Sequence, residues 1–207
     1  MKYFSLEELT NRLASHLWCT QEALCCQLIQ TIAREGQPIT PQRLCETLQI
    51  SQESLLTQLT QVPDAEFDQQ GNIVGWGLTL VPTPHHFQIR DQHLFTWCAF
   101  DTVLFPSSLR IEAYVQSTCA LTGQPISFTI TSEGEVKHLL PTEAHLSLIV
   151  PEQRKDCLRD TFCRQSHFFQ SKQIASSWLA LHPEAVLLSV QEAAVLGKAV
   201  ARRQPVE

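Results

Sequence analysis

Between Leu94 and Pro106 the chain runs Leu-Phe-Thr-Trp-Cys-Ala-Phe-Asp-Thr-Val-Leu-Phe-Pro, almost wholly apolar yet carrying one carboxylate. Such a segment has no face to offer water, so it reads as a short, mostly buried helix around which the rest of the chain is organised, with Pro106 as its end. A spacing of i and i+3 puts Cys98 and Asp101 on one helical face, about 5 to 6 Å apart at Cβ, within reach of a proton passed directly or through one water. Trp97, Phe100 and Phe105 keep bulk water scarce there. An ionised group in apolar surroundings loses hydration or shifts its pKa, so Asp101 needs a partner or a task. It caps a backbone segment, pairs with an arginine, or handles a proton.

At 207 residues the chain is long enough for one domain, alone or with a small appended module, burying about 70% of its unfolded surface. A net charge of −6 with 17% charged residues gives no electrostatic case for nucleic acid or an anionic membrane. The opening Met-Lys-Tyr-Phe-Ser-Leu-Glu-Glu-Leu puts acids where a signal peptide needs its apolar core, and no run of about 18 apolar residues follows. A cytoplasmic location is expected. The eight cysteines, at 19, 25, 26, 45, 98, 119, 157 and 163, form no Cys-x-x-Cys, so a zinc ribbon is weakly supported. In a reducing compartment they are expected as thiols, with Cys19, Cys25, Cys26, Cys45 and Cys157 acting as small buried hydrophobes.

In chain order, Leu6, Leu9, Leu13 and Leu17, then Leu24, Leu28 and Ile32, recur at helical intervals and suggest two helices. Gly36 and Pro38 stop the second, Thr40-Pro41 opens another, and Ser51 caps one more through about Leu59. A hairpin follows over Phe67–Val74, its turn marked by Gly71 and Asn72. Residues 1–80 thus have the outline of a three-helix, winged-helix-like module. DNA binding depends on cations that neutralise phosphates, yet the segment Ser51–Gln61, placed as a recognition helix would be, has none and includes Glu53. A cover for one side of the site is the better reading.

Residues 81–207 read as a core of mostly antiparallel strands with flanking helices: strands at His86–Ile89, Leu109–Thr118, Ile126–Thr131, Val136–Leu140, His145–Val150 and Val186–Val190, and helices at Glu152–Phe162, Ser176–Leu181 and Glu192–Arg203. Strands in a block with helices at either end define an α+β fold. A second chemically loaded stretch, Thr161–Phe169, sets Cys163 and His167 among Phe162, Phe168 and Phe169.

Four stretches resemble the alkylmercury (organomercurial) lyases: Gly-Asn-Ile-Val-Gly-Trp-Gly-Leu-Thr-Leu at 71–80, Trp-Cys-Ala-Phe-Asp-Thr at 97–102, Cys119 with Thr122-Gly123, and Phe-Cys-Arg-Gln-Ser-His-Phe-Phe at 162–169. The resemblance covers roughly residues 60–200. It implies that Cys98 and Cys163 hold mercury, that Asp101 completes the metal-binding and catalytic trio, and that Cys119 is structural. Several relatives carry a second cysteine directly after the one matching Cys163; Arg164 stands there in this chain, a departure that bears only on an accessory thiol.

The implied chemistry is coherent with the residue types. Thiolates favour soft, polarisable metals, and two of them on one mercury make the carbon of a C–Hg bond basic enough to take a proton. A carboxyl near pKa 3.9 is ionised at neutral pH, but thiols release protons on binding metal, so Asp101 can collect one and pass it on. Trp97, Phe162 and Phe168 would wall an apolar pocket for the organic group, and His167 reads as structural. No cofactor is required: mercury arrives in the organomercurial substrate and leaves as product. Its release calls for low-molecular-weight thiols or a partner such as a mercuric reductase. Two rival readings are a cysteine hydrolase with His167 or His93 as base, which lacks a nucleophile elbow or oxyanion loop, and a thiol-based metal sensor without turnover.

Overall fold

The structure, a computed structural model, describes residues 4–17, 21–62, 64–150 and 157–203. Cys19 and the first half of the helix expected over Glu152–Phe162 lie outside these residues.

The N-terminal apolar repeats form α1 (Leu6–Leu17) and α2 (Glu22–Glu35), followed by α3 (Pro41–Leu48) and α4 (Gln52–Leu59). Thr40 accepts the Arg43 N–H and Ser51 the Ser54 N–H, so both caps fall where the side chains demand them. Four helices therefore precede the hairpin of β1 (Glu66–Phe67) and β2 (Ile73–Trp76). Ile39 joins this hairpin through reciprocal backbone hydrogen bonds with Ile73, each 2.8 Å. Cys25 is disulfide-bonded, which corrects the expectation of a thiol at that position.

Beyond the hairpin come β3 (Leu78–Thr79), β4 (His86–Ile89), β5 (Gln92–Thr96), α5 (Ala99–Leu109), β6 (Ala113–Thr118), β7 (Pro125–Ile130), β8 (Val136–Leu140) and β9 (His145–Leu148). The C-terminal part adds α6 (Leu158–Thr161), a 3-10 turn at Cys163–Gln165, β10 (Phe168–Phe169), α7 (Lys172–Leu181), β11 (Val186–Ser189) and α8 (Val190–Ala201). An antiparallel eight-stranded sheet runs in the order β1-β2-β3-β5-β4-β6-β7-β8, and a three-stranded one in the order β10-β9-β11. The fold is α+β. Strict alternation along β6, with Ala113, Val115 and Ser117 buried and Tyr114, Gln116 and Thr118 exposed, gives the sheet one covered face.

The apolar stretch that opens the sequence divides differently from its reading as one helix. Leu94–Thr96 end β5, and the helix begins only at Ala99. Pro106 lies inside α5 and not at its end, because a proline forfeits one N–H bond but the last turn still closes: Ile111 N–H reaches Pro106 O at 3.0 Å, and Arg110 turns left-handed at φ 55. Every residue from Ala99 to Pro106 is buried. α8 packs on α5 so closely that a Cβ at Gly197 would lie 2.5 Å from Val103 O, which only glycine avoids. Leu13, Leu28, Phe87, Phe100, Phe128, Val190 and Leu196 belong to one continuous core.

Candidate active site

Cys98 ends the segment leaving β5 and is the N-cap of α5, extended at φ −147, ψ 171. Its backbone is pinned on both sides: Trp97 N–H donates to Gly77 O at 2.9 Å and the Thr96 hydroxyl to Cys98 O at 3.0 Å. Asp101 sits in the first turn of the same helix. The i, i+3 relation thus holds between an N-cap and the third helical residue, and not along one continuous helical face. Cys163 comes from the other end of the chain, on the 3-10 turn after α6.

The Cys98 and Cys163 sulfurs and a carboxylate oxygen of Asp101 all lie within 4.8 Å of one another, and all three residues are buried. It is the one such group of three metal-ligating side chains among the described residues. Cys163 donates its thiol hydrogen to Cys98, and this bond together with burial raises its pKa well above the ordinary thiol value. Burial also raises Cys98, while the bond received from Cys163 works against the rise. Burial pushes the Asp101 carboxyl up to about 7, against the pull of the Cys98 thiol and of the Cys98 and Trp97 backbone N–H groups. Those groups face the carboxyl electrostatically, yet its Oδ2 has no hydrogen-bond partner of good geometry. One oxygen of this buried carboxyl, beside two thiols, is thus left without a partner, which calls for an explanation.

Ser166 joins the two thiol-bearing segments, a role the sequence did not disclose. Its Oγ accepts the Phe100 N–H at 3.0 Å and its carbonyl the Ala99 N–H at 3.4 Å, so the Cys163 segment supplies partners for the open N-terminus of α5. On the outer side Asp64 accepts the Leu158 N–H at 2.7 Å and the Cys157 thiol at 2.8 Å.

The other predicted residues separate by surroundings. Phe162 is fully buried and meets Phe100 edge-on, ring centroids 5.9 Å apart. Trp97 is half-buried against Trp76 at 6.2 Å. Phe168 packs on Phe128 and His85, each at 5.9 Å, within the sheet core. His167 faces Phe169 and Trp178, whereas the titrating side chains acting on Cys98 are Cys163 and Asp101. Arg164 points outward in an ion pair with Asp160 at 3.0 Å. Cys119 is buried after β6, where Ala120 N–H binds Phe168 O at 2.9 Å. Burial would raise its thiol pKa, but Thr122 and the backbone N–H groups of Gln170, Leu121 and Thr122 outweigh that and lower it.

Two thiols and a protonatable carboxyl, converging where all three are buried in an α+β fold, make a donor set suited to a soft, thiophilic metal ion. Comparison with known proteins gives the particular family. The alkylmercury lyase profile matches residues 78–202. Alkylmercury lyases from Pseudomonas putida (38% identical, 85% of this chain and 84% of that one) and Streptomyces lividans (37%, 83% and 78%) are similar over most of their length, as is that of Bacillus cereus (36%, 85% and 79%). The crystal structure of the mercury-bound form of MerB2 shares the fold at a TM-score of 0.77 with 23% identity, over 97% of this chain and 98% of that one. The chain belongs to the alkylmercury lyase family.

Proposed function

We propose that the protein cleaves the carbon–mercury bond of organomercurials, giving a hydrocarbon and Hg(II), with Cys98, Cys163 and Asp101 as the reacting residues. The observation that carries this reading is the convergence of two thiols on a carboxyl raised to about 7. Cys98 displaces the ligand that accompanies mercury, and that ligand leaves with the thiol proton. Asp101, ionised, then takes the proton of Cys163, whose sulfur adds to the same mercury. Protonated Asp101 finally gives the proton to the mercury-bound carbon; the C–Hg electron pair forms the new C–H bond, hydrocarbon departs, and Hg(II) stays on two thiolates. Burial helps at each stage by holding Asp101 near the pKa at which it both accepts and donates around neutral pH.

In this scheme Trp97 and Phe162 border the organic group, Phe168 supports them from the sheet core, Cys119 is structural, and no resident cofactor takes part. Low-molecular-weight thiols, or a mercuric reductase, remove Hg(II). Residues 81–207 form the catalytic core, and residues 1–80 a winged-helix-like module that covers it without reading nucleic acid. No described helix is long and apolar enough to cross a membrane, in keeping with the cytoplasmic location proposed. The test is headspace detection of hydrocarbon after addition of an organomercurial and excess thiol. Tight uptake without hydrocarbon would replace the lyase by a sensor.

A further inference from the structure

Glu66 stands outside the trio of converging ligand atoms, yet each of its carboxylate oxygens holds one of the thiol-bearing segments. Oε2 accepts the indole N–H of Trp97, the residue before Cys98, at 2.9 Å. Oε1 accepts from the Arg159 guanidinium, four residues before Cys163. That guanidinium also lies over the Trp97 ring, 5.4 Å from its centroid. The carboxylate occupies a space left by Gly75, its partner across the β1–β2 ladder, where any Cβ would collide with Glu66 Oε2 and Thr79 Oγ1. With its side chain only 12% exposed, Glu66 is better shielded than an ordinary surface ion-pair partner.

The Cys163 segment needs such an anchor. α6 has four residues and the following turn three, too few to hold a fixed geometry by themselves. Ser166 ties the segment on the inner side; Asp64 and Glu66 tie it on the outer side. A single thiolate suffices to take up an organomercurial, but cleavage in the scheme above requires both sulfurs on one metal. The distance between them therefore controls the chemical step more than uptake. We propose that Glu66 is a positioning residue which, through Trp97 and Arg159, sets the spacing at which Cys98 and Cys163 engage one mercury. This rests on the lyase reading, and its effect is on the second thiolate.

Arg159→Met, Arg159→Lys and Glu66→Gln test it, with Arg159 exposed enough for its variants to fold. Three quantities are measured for each: organomercurial uptake by loss of titratable thiol, single-turnover hydrocarbon release, and the ultraviolet charge-transfer band of the Hg(II) dithiolate formed with Hg(II) alone. The expected result for Arg159→Met and Glu66→Gln is unchanged uptake, cleavage slowed by about 10- to 100-fold, as for a misplacement of about 1 Å, and a weakened dithiolate band. Arg159→Lys should regain part of the loss. Cleavage within about twofold of the parent in both Arg159→Met and Glu66→Gln, or a loss that tracks a fall in melting temperature and is not rescued by lysine, overturns the proposal. If the parent protein releases no hydrocarbon the lyase reading fails, while the dithiolate band still reports on the thiol spacing.

Discussion

The chain places the same four-residue arrangement at two helix starts, Cys98-Ala-Phe-Asp101 at α5 and Cys157-Leu-Arg-Asp160 at α6, with cysteine as N-cap and aspartate in the first turn of each. Cys98 is wholly buried; Cys157 is half-exposed and donates to Asp64 at 2.8 Å and Asp160 at 3.3 Å. At α5 burial lifts the carboxyl to about 7, so Asp101 itself gains and loses a proton in the neutral range, while burial also raises the Cys98 and Cys163 thiols. At α6 burial and the neighbouring Asp64 lift the thiol to about 11, so the proton stays on sulfur. Spacing supplies the pair, and the surroundings decide which member titrates where it is useful.

The largest expected effect comes from removing the second sulfur that only the buried pair possesses. Cys163→Ser keeps the volume but loses the soft ligand, so hydrocarbon release should vanish while the melting temperature moves by about 2 to 4 °C, the shift of a roughly 1 kcal/mol change. Near-native release by a folded Cys163→Ser would place the second ligand elsewhere. Next, Asp101→Asn should take up organomercurial normally and release hydrocarbon about 10²- to 10⁴-fold more slowly. In D₂O the parent protein should return one deuterium on the former mercury-bearing carbon; the same product at the parent rate from Asp101→Asn would assign the proton to water.

The same variant sharpens the contrast through stability. Below about pH 4 the Asp101 carboxyl is protonated in both folded and unfolded chains. Between there and about 7 only the folded chain keeps the proton, so its contribution to stability falls as pH rises through that range and then levels off. At about 1.4 kcal/mol per pKa unit the loss amounts to a few kcal/mol. Asp101→Asn should accordingly raise the melting temperature more at pH 8 than at pH 5, and an equal gain at both would mean that the carboxyl is not buried in ionised form. Cys119→Ser is expected to cost about 1 to 2 kcal/mol of stability, about 4 °C in melting temperature, with cleavage little changed. Unchanged melting with lost cleavage would move Cys119 into the chemistry. The smallest effect belongs to the outer pair: Cys157→Ser should leave cleavage unchanged, because a serine hydroxyl still donates to Asp64. A clear loss would end the contrast drawn between the two N-caps.

Local spacing carried the Cys98–Asp101 relation, and alternation or capping residues carried the strands at 86–89, 136–140 and 186–189 and the starts of α3 and α4. β5 escaped because Leu94 and Thr96, its inward residues, run straight into the apolar stretch of α5 and blur where one period gives way to the other. Cys163 became a site residue through resemblance to a family and not through any local pattern. Ser166, Glu66 and Arg159 gave no signal at all, since their partners lie 66, 31 and 93 residues away. Polar contacts between distant segments leave no periodicity to read.

Gly197 has a consequence for how a bulky molecule reaches a site this enclosed. With the α8 backbone laid directly on Val103, α5 has no slack behind it, and Cys98 and Asp101 form a stationary jaw. The opposing jaw, which bears Cys163, is a few residues fastened through side chains, by Ser166 on the inner side and by Asp64 and Glu66 on the outer side. Any opening of the site is therefore expected on the Cys163 side. Amide hydrogen exchange is expected to register this as slow protons along α5 facing faster ones from Leu158 to Gln165.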